Sequence, residues 1–254
     1  MTGATSFDSL SSLRALVSDA YVNLKVNLKL ELTKSRETVL ELFDRVRRQY
    51  PTMSEFDRNG EELALDTHPG DFPYRWLAIR SRNIRSGIVN PDALTSAHEL
   101  HRLVLEVIPY YLSISPLDVE SIELLFGADI SAKGNHDEIV FSALVADSPL
   151  ANLLSDGCTI TDCQPVLTST IPGSPGLEAQ FEVKTRCHGS AQIKESQHNA
   201  ISVYLTIRRP GPITNIEQLD ETYLELARQG ERLVEDTMIP SLVVPIRHAS
   251  ASFS

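Results

Sequence analysis

The sequence predicts an α+β protein built from two similar halves, each an antiparallel sheet with helices on one face. Three observations lead there: a run of strict apolar–polar alternation near the start, helical segments bounded by capping residues and prolines, and an element order that recurs in the second half. From Tyr21 to Thr33, Val22, Leu24, Val26, Leu28, Leu30 and Leu32 alternate with Asn23, Lys25, Asn27, Lys29 and Glu31. Successive strand side chains point to opposite faces, so this run is a strand with one buried and one wet face. Ser35 is placed to cap a helix, with Glu37 in the first turn, where the helix dipole favours negative charge. Val39, Leu40, Leu42, Phe43 and Val46 recur at helical spacing, and Pro51 closes the segment.

Two shorter strands are expected at 62–66 and 75–80, the second continuing through 84–89, with the turn-forming THPGDFP between them. Asn90 and Pro91 are expected to open a long helix as cap and first residue, with Leu94, Ala97, His101, Val104, Leu105 and Ile108 inward and Pro109 at its end. The second half repeats the order. A strand at 119–130 precedes an Asn135 cap and a helix over 137–145; strands follow at 166–171, 177–185 and 201–208. A helix over 215–237, weakened by Gly230, leads to a short apolar run at 242–246. Strand, helix, two or three strands, helix and a closing strand is the ferredoxin-like order (βαββαβ). The expected organisation is a disordered tail over 1–15, a first half over 16–116 and a second over 117–254. No linker separates the halves, so they form one sheet or two tightly packed subdomains.

The chain has 254 residues, 42% hydrophobic and 22% charged, which is globular composition. Its formal net charge of −11 repels nucleic-acid phosphates and anionic membranes, leaving proteins, a second copy of the chain, small molecules or metal cations as expected partners. The first residues lack the charged start and apolar run of a secretory signal, and no apolar run reaches bilayer length, so a cytoplasmic location is expected.

Gly134-Asn135-His136-Asp137-Glu138 resembles one signature of calcineurin-like metallophosphoesterases, and Asp66-x-His68 stands upstream as in that family. There the Asn and His help hold two metals that activate water. The remaining motifs depart: Gly70-Asp71 follows too closely, no second Asp is in place, and His188, His198 and His248 stand alone. A helix cap explains the string better, because Asn135 caps, Asp137 and Glu138 suit the positive helix end, and Gly134 eases the turn. Arg80, Arg82 and Arg85, with Arg75 nearby, could hold an anionic ligand, or pair with the chain's own carboxylates. Trp76 is expected in the core. His98 and His101 lie one helical turn apart, and His101 falls on the apolar stripe as a half-buried histidine would. Cys158, Cys163, Cys187 and His188 could form a zinc site or remain free thiols. No phosphate loop, nucleophile elbow or His-Glu-x-x-His helix is present, and no cofactor is expected.

FPYRWLAIRSRNIRSGIVNP (72–91), YYLSISPLDVESIELLFGADI (110–130) and GNHDEIVF (134–141) resemble segments of a sporadically distributed bacterial family with planctomycete members. The likeness runs from about Leu13 onward and implies no activity, cofactor or catalytic residue. The expected function is a non-catalytic interaction or assembly protein, acting as a homo-oligomer or within a larger complex. A protein or enzyme using the arginine cluster for an anionic ligand is the alternative, and phosphoester hydrolysis at Asp66, His68, Asn135 and His136 stands third.

Overall fold

Strand β1 (Asp19–Leu28) keeps the alternation that the sequence shows, with Ala20, Val22, Leu24, Val26 and Leu28 buried and the intervening residues half-exposed. It ends earlier than the pattern does: Leu30 is exposed, and Lys29 N donates to Asp118 O outside the sheet. The computed structural model describes residues 12–32, 35–155, 157–185, 200–211 and 213–253. Within the expected tail, Leu13 is buried and Arg14 donates to Pro91 O at 3.1 Å, so those residues pack against the body.

Helix α1 (Arg36–Gln49) starts where its cap predicts, with Ser35 Oγ accepting from Thr38 N at 3.2 Å, and it buries Val39, Leu42, Phe43 and Val46. A meander follows: β2 (Met53–Asn59), β3 (Glu62–Thr67), β4 (Tyr74–Ile79) and β5 (Asn83–Val89). Strand β2 was not expected, because it is an edge strand with only Met53 buried, so no apolar alternation marks it. Helix α2 (Leu94–Tyr111) begins after the predicted cap. Asn90 instead adopts φ 50°, accepts from Ala20 N at 3.0 Å and donates to Asp19 Oδ1 at 2.7 Å, fastening the end of β5 to the start of β1. Pro109 lies inside α2 near its end.

Strand β6 (Val119–Ser131) is followed by α3 (His136–Leu144), then β7 (Val166–Thr170), β8 (Glu178–Lys184), β9 (Ala200–Pro210) and α4 (Gln218–Leu233). The run at 242–246 is not a closing strand. A π-helical stretch, Val234–Val243, containing Pro240, carries the chain from α4 into α5 (Val244–Ser252). The wider π-turn accommodates Pro240, which lacks an N–H, so the helical path continues through it.

Among the described residues the strands form one nine-stranded sheet in the order β2-β3-β4-β5-β1-β6-β9-β8-β7. Every neighbouring pair is antiparallel. Strands β1 and β6 pair at the centre, and each is flanked on its other side by the last strand of its own meander, β5 or β9. Helix α2 packs on β5, α4 on β6 and β9, α1 on α2, and α3 on α5. The core lies between that layer and one sheet face, where Leu24, Leu77, Ile84, Leu124 and Leu205 are each at most 1% exposed. Each such side chain contributes about 1.5–3 kcal/mol by leaving water.

Candidate functional site

The sheet face opposite the helices is largely polar, with a few aromatic rings set among the polar side chains. Across β1, β6 and β9, Tyr21 stands opposite Gly127 and Gly127 opposite Tyr204. The Tyr21 ring lies over Gly127 so closely that a Cβ there would sit 2.0 Å from Cε2, which only glycine avoids. The Tyr21 and Tyr204 rings meet edge to face, with centroids 6.2 Å apart. Tyr21 donates to Asp129 Oδ1 at 3.1 Å, and Ser202 donates to the same oxygen at 2.6 Å. Burial first and the Asp129 charge second raise the Tyr21 pKa far above its ordinary value, so the phenol stays a donor.

Glu123 gathers two of the cations on this face. It lies 3.5 Å from Lys25 and 3.4 Å from Arg208, and it accepts from Asn27 Nδ2 at 2.9 Å. Trp76 is half-buried here, not in the core, because its position on β4 points it away from the helices; the Arg85 guanidinium is 5.9 Å from its ring.

A second cluster ties α2 to α4 on the helix side. His98 Nδ1 meets the Tyr223 hydroxyl at 2.7 Å, and Nε2 meets Glu231 Oε1 at 2.7 Å. A neutral imidazole satisfies both contacts by donating from Nε2 and accepting at Nδ1. Burial, then the charge of Glu231, holds the Tyr223 pKa well above the ordinary phenol value, consistent with the donor role. His101 points elsewhere: it is wholly buried, with Nδ1 2.8 Å from Ser86 Oγ. The two histidines therefore do not converge on one ligand. Beside His98 a groove of about 800 Å³ runs along α2, lined by Tyr50, Glu99, Tyr110 and the ion pair between Arg102 and Asp220. His98 already uses both ring nitrogens on the protein itself, so it offers the groove no free base. Tyr223→Phe leaves His98 Nδ1 without its donor; the expected loss is about 1–2 kcal/mol in urea unfolding, and unchanged stability would contradict the assigned bond. Sequence reasoning missed Tyr223 and Glu231; their eight-residue separation, two helical turns on one face, is the available signal.

The arginine cluster is placed as follows. Arg80 and Arg85 both bind Glu62 Oε2, and exposed Arg82 is 3.8 Å from Glu31. Arg80 and Arg82 do not share a strand face, since β4 ends at Ile79 and Arg82 occupies the turn before β5. Arg75 packs its guanidinium 5.2 Å from the Tyr50 ring.

The four phosphoesterase candidates fall in two separate places, Asp66 and His68 at the end of β3 and Asn135 and His136 at the start of α3. Asp66 is on β3, half-buried beside Tyr74; burial raises its pKa against the opposing hydrogen bond from Tyr74, while burial first and the Asp66 charge second push Tyr74 up to about 12. His68 follows β3 and is 4.0 Å from Glu55. Asn135 caps α3, accepting from Asp137 N at 3.0 Å and Glu138 N at 3.3 Å while donating to Ile160 O at 2.8 Å. His136 is buried, its Nε2 3.2 Å from Ala132 O. Four interstrand steps separate β3 from β6, about 19 Å at the usual spacing. Among the described residues no group of three or more His, Cys, Asp or Glu is arranged to hold a metal. Cys158 is exposed, and burial raises the Cys163 thiol pKa. Cys187, His188 and His198 lie outside the described residues.

No protein family and no curated protein matches the sequence. Among solved structures, the chain is similar to a chain in the crystal structure of A. aeolicus tRNASec in complex with M. kandleri SerRS. The identity is 11% over 89% of this chain and 32% of that chain, with a TM-score of 0.25. A likeness of that size carries no argument about function.

Proposed function

We propose that the protein is a non-catalytic interaction protein that acts as a homo-oligomer or within a larger complex. The observation that carries this reading is the one-sided sheet: the helices described pack on one face, and the opposite face presents Tyr21, Trp76 and Tyr204 among polar and charged side chains. Covering charges that already have partners, such as Glu123 between Lys25 and Arg208, costs less than covering unpaired ones. His98 supports the same reading, since both of its ring nitrogens are spent on internal contacts. An anionic ligand at Arg80, Arg82 and Arg85 would have to displace Glu62 from two of the three.

The same reading takes the two halves as duplicated ferredoxin-like units. Its support is the match of β1–α1–meander–α2 to β6–α3–meander–α4, with β6 standing beside β1 where a closing strand would lie. It also takes the protein as cytoplasmic, with protein rather than nucleic acid or membrane as partner. The net charge of −11 supports this, and no described helix is long and apolar enough to cross a membrane. Native mass spectrometry of gently purified, untagged protein tests the central point. Multiples of the 28.1 kDa chain without small adducts are expected; a monomer carrying a stoichiometric metal or small molecule would overturn it.

A further inference from the structure

We propose that the free edge of β7 is a homotypic strand-pairing site, through which two copies of the chain join their sheets antiparallel about a two-fold axis at Thr168. This rests on the reading of the protein as self-associating and specifies the surface. Among the described residues β7 ends the sheet, and all five of its residues are exposed, Val166 at 55% and Leu167 at 67%. Val183 N donates to Pro165 O at 3.0 Å and Ile171 N to Leu177 O at 3.2 Å. With the register Val166↔Glu182 through Thr170↔Glu178, residues 165, 167, 169 and 171 therefore turn their backbone groups toward β8. The N–H and C=O groups of Val166, Thr168 and Thr170 point outward, and no described backbone group bonds them.

That edge is self-complementary. A two-fold axis at Thr168 sets Thr168 against Thr168 of the second copy as a hydrogen-bonded pair, and Val166 against Thr170, which uses all three outward residues of each strand. Leu167 meets Ser169, and threonine faces threonine, a favourable cross-strand match. Charge argues for a second copy as the occupant. The chain carries −11, yet VLTST has no ionisable side chain, so two acidic molecules meet there without opposing like charges at the seam. The other edge is defended. Strand β2 bears Glu55, Asp57 and Arg58, and its register shifts between Met53 and Glu55, both of which discourage edge pairing.

Sedimentation velocity on the full chain and on Thr168→Pro, Thr168→Lys and Thr168→Glu tests this. Proline removes an outward N–H that the β8 ladder does not use, so folding is preserved while the dimer dissociation constant rises about a hundredfold. The lysine and glutamate variants, each opposing its own charge, run as monomers alone, and a mixture of the two restores the dimer. A wild-type dimer that survives in all three unmixed variants would overturn β7 pairing and leave self-association through another surface. A wild-type chain that stays monomeric at every concentration would overturn both.

Discussion

Gly230→Val is expected to destabilise the protein by about 3 kcal/mol, lowering the melting temperature by about 6–12 °C. Gly230 lies in α4 where that helix crosses β6, and a Cβ there would sit 2.2 Å from Cε2 of Phe126. The Phe126 ring cannot swing aside, because it is only 3% exposed and held among the core residues of β1 and β6. Valine therefore forces α4 away from the sheet, which also pulls Tyr223 and Glu231 from His98. Thermal unfolding followed by circular dichroism reads the effect. A valine variant as stable as the wild type would mean that α4 does not seat on Phe126.

His101→Gln is expected to change the acid dependence of stability by about 2 kcal/mol between pH 6.5 and 4.5. Burial, with His98 as the second cause and the Val22 backbone opposing, lowers the His101 pKa from 6.5 to about 3. The folded state thus keeps His101 neutral over a range in which the unfolded state takes up a proton. Stability from this residue is fully present above about pH 6.5 and is lost as pH falls toward about 3, at up to 1.4 kcal/mol per unit. Glutamine keeps a hydrogen-bonding group for Ser86 and removes the titration. The stability difference between wild type and variant, from urea unfolding across the pH series, should therefore shrink on acidification. A difference that stays constant from pH 6.5 to 4.5 would show that His101 is not held neutral.

Gly230 also shows what the sequence hides. By helix propensity it weakens the helix, and that is all a single sequence can say of it. The structure gives the reason, a close approach to Phe126, which depends on a residue far away in the chain. The elements that were legible had strong local signals: the alternation of β1, the Ser35 cap of α1 and the Asn135 cap of α3. Strand β2 was not legible, because an exposed edge strand has no apolar period to reveal it. Asn90-Pro91 looked like a helix start, but Asn90 serves the join between β1 and β5, a long-range role that local chemistry imitates. At the site, the pairing of arginines with internal carboxylates was foreseeable from charge balance, whereas Glu62 as their shared partner was not. Trp76 was misplaced because strand parity does not say which face the helices cover.

The central claim, that this sheet is completed by association along β7, is tested most directly by amide hydrogen exchange of the wild-type chain at several protein concentrations. The N–H groups of Val166, Thr168 and Thr170 face outward and should gain protection as concentration rises, while those of Leu167 and Ser169, bonded to β8, should remain unchanged. Rapid exchange of the three outward amides at every concentration would contradict the account.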